Sequence, residues 1–291
     1  MTLIVFNSDS PQSIAAFAST ILERCDVKPS SKATYKTGVA RFLLHCSHHG
    51  FHDDVLLLYK EHLRSLTNIS ASTKSLYLNC AKVAVREMYR MKLVASDISQ
   101  SVKSFKMSPE HKRSPIIEID RKRVFNYLAK SDDVRAILMF HLLAYQGLRR
   151  GEVCNVLIDD FNDANATLLI HGKGYDGKTL IHLHKKTVVA IKQYLSTTQL
   201  SSGFFFATRS RCGHISTVHL HNIVQSVHRA CKIRATVHAW RKYFTSTLLE
   251  HGFDVITTSK FTRHKNVNTV SIYYDRVSMI ARLQDFQSMF G

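Results

Sequence analysis

The sequence lacks any apolar run long enough to cross a lipid bilayer. The longest, residues 136–145, is interrupted by His141 and has about half of the roughly 20 residues that a spanning helix needs. The apolar start, residues 1–6, meets polar residues at once and lacks the form of a cleavable signal peptide. We therefore expect no membrane partner and a cytoplasmic location.

Cysteine pairs and metal-binding motifs are also missing. Six cysteines are spread over the chain without a C-x-x-C pair, a pattern typical of a reduced, intracellular protein. The 17 histidines include two H-x-H pairs, His182/His184 and His219/His221, but no HExxH motif and no zinc-finger spacing. We predict that the protein binds no metal and needs no cofactor.

Acidic residues are scarce, since 22 Asp and Glu stand against 40 Lys and Arg, for a formal net charge of +18. Hydrophobic residues still make up 45% of the chain, so folded cores are expected and a disordered basic tail is excluded. An excess of positive charge favours a polyanionic partner, because each phosphate contact releases counterions. Composition thus favours nucleic acid as the partner.

Proline and glycine are few and unevenly placed. Two of the four prolines fall in the polar, basic stretch 106–115, and nine of the eleven glycines follow residue 146. A chain of 291 residues is about twice the usual domain size. We therefore predict a helical domain at 1–105, a linker at 106–116 and a second domain at 117–291.

The first domain carries four amphipathic helical patterns, which begin near residues 10, 31, 53 and 70, where Ser or Asp is available as a cap. In the fourth pattern we place Tyr89 on the inward face. Basic side chains project from the outer faces, and four helices that share this property indicate a DNA-facing bundle. We predict DNA contacts for Lys32, Lys36, Arg41, Lys74, Lys82 and Arg86.

The second domain mixes helices with a hairpin. Residues 166–184 alternate apolar and polar side chains on either side of a glycine-rich turn, which predicts a β-hairpin. Helical patterns occupy much of the rest, at about 119–130, 133–147, 185–197, 216–231, 238–251, 254–262, 266–274 and 277–289. The predicted fold class is mainly α with a small β-sheet.

Four features of this domain form a series. LLAYQGLRRGEV (142–153) contains G-L-R followed by a glutamate, and VHAWRKYFTSTLLEHG (237–252) contains H-x-x-R. TRHKNVNTVSIYYD (262–275) ends the series, and Lys173 lies in the hairpin turn, where a Gly-Lys-Gly sequence alone is typical of an ordinary hairpin. In this order they resemble the TGLRxxE, H-x-x-R and GH…IY boxes and the hairpin lysine of the tyrosine recombinases, the family of lambda integrase, Cre and the Xer proteins.

The resemblance implies the tyrosine recombinase fold. A helical, SAM-like core-binding domain would be linked to a mainly helical catalytic domain, and the two would hold a DNA duplex from opposite sides. The two-domain form, without an arm-binding domain, is expected. The family pattern assigns catalytic roles to Arg149, Lys173, His238, Arg241, His264 and Tyr273, with Glu152 in support.

Phosphate chemistry gives two of these residues a clear task. Arg149 and Arg241 would neutralise the charge that develops on the reacting phosphorus, because a guanidinium is permanently charged and binds two oxygens at once. Arg150 competes with Arg149 for the first position, and the register of the G-L-R motif selects Arg149. Glu152 would orient its neighbours in the site.

The remaining roles also follow from the resemblance. Tyr273 would attack the phosphate and form a 3′-phosphotyrosine, while Lys173 would protonate the departing 5′-oxygen. His238 and His264 would add hydrogen bonds to the phosphate or the nucleophile. The intermediate keeps the energy of the phosphodiester bond, so rejoining needs no ATP.

The closing box departs from the family pattern. The usual L-G-H reads T-R-H here, at residues 262–264, and Tyr274 stands directly beside the expected nucleophile. The spacing from the histidine selects Tyr273. We predict an apolar stripe through Val267, Val270 and Tyr274, which leaves the Tyr273 phenol outside it and open to DNA.

The resulting prediction is a site-specific recombinase, an integrase or resolvase of a mobile element. The alternatives are an Xer-like dimer resolvase, a type IB topoisomerase-like enzyme and a catalytically silent DNA-binding protein. Its partners would be double-stranded DNA with a specific core site and three further copies of the chain, forming a synaptic tetramer through a helix at 277–289. The sequence leaves open whether accessory directionality proteins take part. The protein would be cytoplasmic and associated with the nucleoid.

Overall fold

The computed structural model describes residues 10–106, 115–172, 177–210, 212–264, 266–271 and 273–274. The chain divides into two compact units, Met1–Ser108 and Pro109–Gly291, and the division falls within the predicted linker. Most of that linker, Lys173 and the predicted helix at 277–289 lie outside the described residues. Each unit has its own hydrophobic core.

The first unit contains the four predicted helices: α1 (Pro11–Glu23), α2 (Pro29–His49), α3 (Val55–Ser65) and α4 (Ala71–Arg90). Ser10 and Ser70 cap α1 and α4, where their hydroxyls accept from backbone amides three residues on. The predicted start of α2 was late, because Pro29 sets the backbone angle of a first helical turn ahead of the two serines.

Close packing between helices forms the core of this unit. A Cβ on Gly38 of α2 would lie 2.6 Å from Sγ of Cys80 on α4, so the missing side chain lets the two helices approach. Phe42 and Tyr59 meet edge to face, with ring centroids 5.2 Å apart. The inward placement of Tyr89 was wrong, since 47% of this residue is exposed near the end of α4. A tyrosine tolerates such exposure because water can hydrate its hydroxyl group.

Seven α-helices lie between residues 115 and 264 in the described part of the second unit. They are α5 (Glu118–Leu128), α6 (Val134–Ala144), α7 (Arg150–Cys154), α8 (Lys185–Thr198), α9 (Thr217–Ala230), α10 (His238–Glu250) and α11 (Val255–Thr262). Residues 268–271 and 273–274 are also helical. The short α7 was not predicted as a separate helix, because five residues are too few to show a period.

The predicted hairpin is part of an antiparallel sheet ordered β1-β2-β3. Its strands are β1 (Phe161–Asn162), β2 (Thr167–His171) and β3 (Lys178–His182), and Leu169 of β2 lies opposite Leu180 of β3. Alternate residues Leu168 and Ile170 are buried in the core, as the pleat requires. The mainly α fold class with a small sheet is therefore confirmed.

Trp240 fixes α10 in the centre of the second unit. Its indole is fully buried, and Nε1 donates to Nε2 of His228 on α9 at 2.9 Å. Its ring meets Phe140 of α6 edge to face at 5.3 Å. These contacts set the rotation of α10 and hence the direction of the next residue, Arg241. None of the described helices combines the length and apolar character that a membrane-spanning segment requires.

Candidate active site

The turn between α6 and α7 begins the site with Gly147. This residue has φ +56, and a Cβ on it would lie 2.3 Å from Cδ1 of Phe244, so only glycine fits. Its carbonyl oxygen accepts from Nη1 of Arg241 at 2.6 Å and from Nη2 of Arg263 at 3.4 Å. The glycine of the G-L-R motif thus lets one carbonyl receive two guanidinium groups.

Arg149 precedes α7 and is tied to Glu152 by two contacts. Its Nη1 lies 2.7 Å from Oε1 of Glu152, and its backbone amide donates to Oε2 at 2.8 Å. Nη2 donates to the Arg263 carbonyl at 3.1 Å. The Arg149 side chain keeps 28% of its surface exposed, whereas Glu152 is buried. The competing candidate, Arg150, is exposed on α7, away from these contacts.

Arg241 lies at the bottom of the site with 1% of its surface exposed. Besides the Gly147 carbonyl, it donates to the carbonyl of Thr262, and its Nη2 lies 3.5 Å from Nε2 of His264. Its buried Nε has no hydrogen-bond partner within the described part of the chain. Burial, then the charges of Arg149 and Arg263, lower its pKa to about 9. A buried cation among other cations favours the binding of an anion.

The contacts of His264 define its protonation. Nδ1 lies 2.6 Å from the Thr262 hydroxyl, which donates its own proton to the carbonyl of Thr258 at 2.8 Å. The network therefore assigns the imidazole proton to Nδ1 and leaves Nε2 as an acceptor facing Arg241. Burial and the charges of Arg241 and Arg149 lower the pKa of His264 to about 3. The ring is neutral at physiological pH.

Tyr273 is half-buried close to Arg241, whereas 37% of Tyr274 is exposed. Burial raises the pKa of Tyr273 to about 12, although the charge of Arg241 acts in the opposite direction. The predicted apolar stripe was wrong, because Val267 is 40% exposed and only Val270 is fully buried. Residues on a helix lie about 100° apart, and here that rotation turns Tyr273 inward and its neighbour toward solvent.

The structure thus brings together four predicted site residues, Arg149, Glu152, Arg241 and His264, with Tyr273 near Arg241. His238 is exposed at the first position of α10, and its charge contributes to the low pKa of His264. Lys173 lies outside the described residues.

The predicted DNA-binding residues of the first unit fall into two groups. Lys32, Lys36, Arg41 and Arg86 are exposed. Lys74 donates to the Arg64 carbonyl at 2.8 Å, near the end of α3, and Lys82 donates to the carbonyl of Val102. These two ammonium groups therefore satisfy backbone oxygens of their own unit.

Sequence reasoning missed the part played by Arg263 and Thr262. For Arg263 the sequence carries a signal, because an arginine occupies the position where the family motif has glycine. Thr262 gave no signal of its own, since its contact with His264 arises from the bend after α11. No group of three His, Cys, Asp or Glu suited to a metal ion occurs in the portion of the chain that the structure describes.

Comparison with known proteins places these residues in a family context. The model of the phage integrase family matches residues 116–278. Tyrosine recombinase XerA of Pyrococcus horikoshii is 27% identical over 199 residues, 67% of this chain and 68% of that protein. TnP I resolvase of Bacillus thuringiensis is 28% identical over 165 residues, 54% of this chain and 56% of the resolvase. The alignments thus span about half to two thirds of these relatives.

Solved structures share the fold at low identity. XerH site-specific recombinase bound to palindromic difH substrate has a TM-score of 0.73 and 17% identity, covering 97% of this chain and 85% of that one. The Tn1549 transposon integrase in complex with transposon right end DNA has a TM-score of 0.72 and 13% identity, covering 96% and 99%. Both similarities extend over the two units of the chain.

Proposed function

This chain belongs to the phage integrase family, the tyrosine recombinases, and on that premise we propose that it is a site-specific DNA recombinase that cuts and rejoins strands through Tyr273. The observation that carries the proposal is the guanidinium pair of Arg149 and Arg241, held by one turn and close to a half-buried tyrosine. Two fixed cations beside a phenol suit the attack of a tyrosine on a phosphodiester.

The scissile phosphate supplies the anion that the site lacks. Three arginines surround one carboxylate, that of Glu152, so positive charge is in excess before DNA binds. A phosphate held by Arg149 and Arg241 offsets that excess and weakens the field that depresses the pKa of His264. The neutral imidazole then becomes a better proton acceptor, as deprotonation of a phenol with a pKa of about 12 requires.

The proposed cleavage step balances as a transesterification. The Tyr273 oxygen forms a bond to phosphorus and loses its proton to a base of the site, while the bond from phosphorus to the 5′-oxygen breaks. Lys173 donates a proton to that oxygen, which leaves a free 5′-hydroxyl and a 3′-phosphotyrosine. Attack by the 5′-hydroxyl of another strand reverses the step, so that no ATP is consumed.

DNA contact is proposed for both units of the chain. XerH and the Tn1549 integrase are bound to DNA in their solved structures. In this chain, Lys32, Lys36, Arg41 and Arg86 offer exposed positive charge for phosphates. We further propose that the protein recognises a specific core site in duplex DNA and acts there as a synaptic tetramer. Its biological role would be that of an integrase or resolvase of a mobile element.

Two tyrosine variants test the proposed nucleophile. The wild-type protein is incubated with fragmented DNA from its source organism, denatured, and the covalently held fragments are sequenced to give a target duplex. A duplex with a nick beside the cleavage point then traps the adduct. Tyr273→Phe keeps the ring and removes the attacking oxygen, so the adduct should fall below detection while DNA binding persists. Tyr274→Phe is the matched control and should still form the adduct.

The results for the two variants and the wild type distinguish a nucleophile at Tyr273 from the alternatives. An adduct retained in Tyr273→Phe and lost in Tyr274→Phe would move the nucleophile by one residue. Adducts retained in both variants would exclude a tyrosine nucleophile at this position. Binding without an adduct in the wild-type protein would instead support a catalytically silent DNA-binding protein.

A further inference from the structure

Arg263 occupies a backbone position that disfavours it. It ends α11 with φ 55 and ψ 43, the left-handed region in which a residue with a Cβ is strained and glycine is preferred. Only 9% of its side-chain surface is exposed, whereas an arginine on a protein surface is mostly exposed. A strained backbone combined with a buried guanidinium indicates that the side chain has a task.

The contacts of Arg263 are directed at the protein itself. Nη2 lies 3.2 Å from Oε2 of Glu152 and 3.4 Å from the carbonyl of Gly147. Nη1 donates to the carbonyl of Phe261 at 2.9 Å. Nη2 thus joins Arg263 to Glu152 and to the turn at Gly147, so this side chain is suited to holding its neighbours in place.

Glu152 connects Arg263 to Arg149. The two oxygens of the buried carboxylate are shared, because Oε1 pairs with Arg149 and Oε2 with Arg263. Burial acts to raise the pKa of Glu152, but Arg263 and Arg149 together hold it below its ordinary value. A buried carboxylate left without a partner is strongly unfavourable. If Arg263 were absent, Arg149 would therefore be the one guanidinium left in direct contact with Glu152 among the described residues.

We propose that Arg263 is a positioning residue that keeps Glu152 paired while the guanidinium of Arg149 turns to the scissile phosphate. This inference rests on the proposed function. It gives a reason for the arginine in a strained position next to His264. Glu152 also positions Arg149, because its carboxylate accepts a hydrogen bond from the Arg149 backbone amide. This hydrogen bond can persist when Nη1 of Arg149 moves away from the carboxylate to the phosphate.

The test begins with Arg263→Gly, which relieves the backbone and removes the guanidinium. We expect a folded protein whose rate of adduct formation on the nicked duplex falls roughly tenfold to a hundredfold. Because loss of a neighbouring cation raises the pKa of Glu152, the acid limb of the rate–pH profile should move to higher pH. Added guanidinium ion should restore part of the rate. Lys232→Gly is the matched control, since Lys232 is exposed with φ 55, and this variant should keep the wild-type rate.

A double-mutant cycle identifies the route of the effect. If Arg263 acts through Glu152, the variant with both Arg263→Gly and Glu152→Gln should be no slower than Glu152→Gln alone. Multiplied losses, or a slow Arg263→Gly variant with an unshifted pH profile and no rescue, would overturn the inference. So would a wild-type rate in Arg263→Gly.

A second readout separates this inference from the proposed function. If the wild-type protein forms no adduct on any fragment, the proposed function fails. The coupling of Arg263 to Glu152 is then tested without DNA, by the pH dependence of urea unfolding in the four proteins of the double-mutant cycle: wild type, Arg263→Gly, Glu152→Gln and the double variant. An equal dependence in wild type and Arg263→Gly would overturn the pairing on which the inference depends.

Discussion

Gly147 is the residue around which the arginine cluster is arranged. Its positive φ turns the chain from α6 into α7, and the missing side chain leaves room for the ring of Phe244. Its carbonyl receives donors from Arg241 and Arg263, while Arg149 follows two residues later. Any side chain at this position would therefore disturb both the packing and the placement of the guanidinium groups.

Gly147→Ala should destabilise the second unit by about 2–4 kcal/mol, because the added methyl overlaps Phe244 and the backbone angle is unfavourable. Urea unfolding with a fluorescence readout measures the change. Gly151→Ala is the control, since nothing lies within 4 Å of a Cβ there and alanine favours the helix α7. Similar losses of stability in both variants would contradict the steric argument.

The neutral state of His264 makes stability depend on pH. Its pKa is about 3 in the fold, whereas an unfolded histidine has a pKa of about 6.5. Between these values the unfolded chain binds a proton that the folded chain excludes. Above about pH 6.5, His264 is neutral in both states and causes no loss of stability. As the pH falls from 6.5 toward 3, protonation of the unfolded chain lowers the free energy of unfolding. Burial of His141, with a pKa of about 4, adds to the decline.

Urea unfolding of the whole chain at pH 7, 6 and 5 tests this dependence. The free energy of unfolding should decrease with each step toward acid. His264→Gln removes the titrating group and keeps an amide that can accept a hydrogen bond, so its decrease should be smaller. A variant with the same decrease as the wild type would show that His264 is not protonated differently in the two states.

Among the secondary-structure elements, those with a repeating apolar pattern were predictable from the sequence, whereas short helices and bends were not. The helices and the hairpin have apolar periods that burial requires, so their existence followed from the sequence. The motif spacing likewise selected Arg149 over Arg150, and the structure places only Arg149 beside Glu152. The five-residue α7 and the bend after α11 lack a period. The placement of Arg263 therefore had to come from the structure, as did the inward rotation of Tyr273.

The basic helices of the first unit give a prediction at the same scale. Lys36 is exposed on α2, so Lys36→Gln should weaken DNA binding and reduce the slope of log K against log salt by about 1. Lys74→Gln is the comparison, because Lys74 already donates to the carbonyl of Arg64. It should lower the stability of the unit and leave the slope unchanged. Fluorescence anisotropy at several salt concentrations measures both, and equal slopes in all proteins would refute the assignment.

At the scale of the whole molecule, the predicted DNA-binding residues and the predicted catalytic residues lie in different units of the chain. The chain carries +18 formal charges, and the exposed predicted DNA contacts lie in the first unit. The arginine cluster and Tyr273 lie in the second, within the part that matches the phage integrase family. We therefore expect the full chain to bind duplex DNA and to react with it through one tyrosine.

Mapping the covalent adduct tests this requirement most directly. Full-length protein is trapped on a nicked target duplex, digested with nuclease and protease, and the peptides are sequenced by mass spectrometry. We predict one modified peptide from the segment 262–275, with a 3′-linked nucleotide phosphate on Tyr273. A nucleotide on Tyr274 or any other residue, or DNA binding without a modified peptide, would contradict the assignment of Tyr273 as the nucleophile.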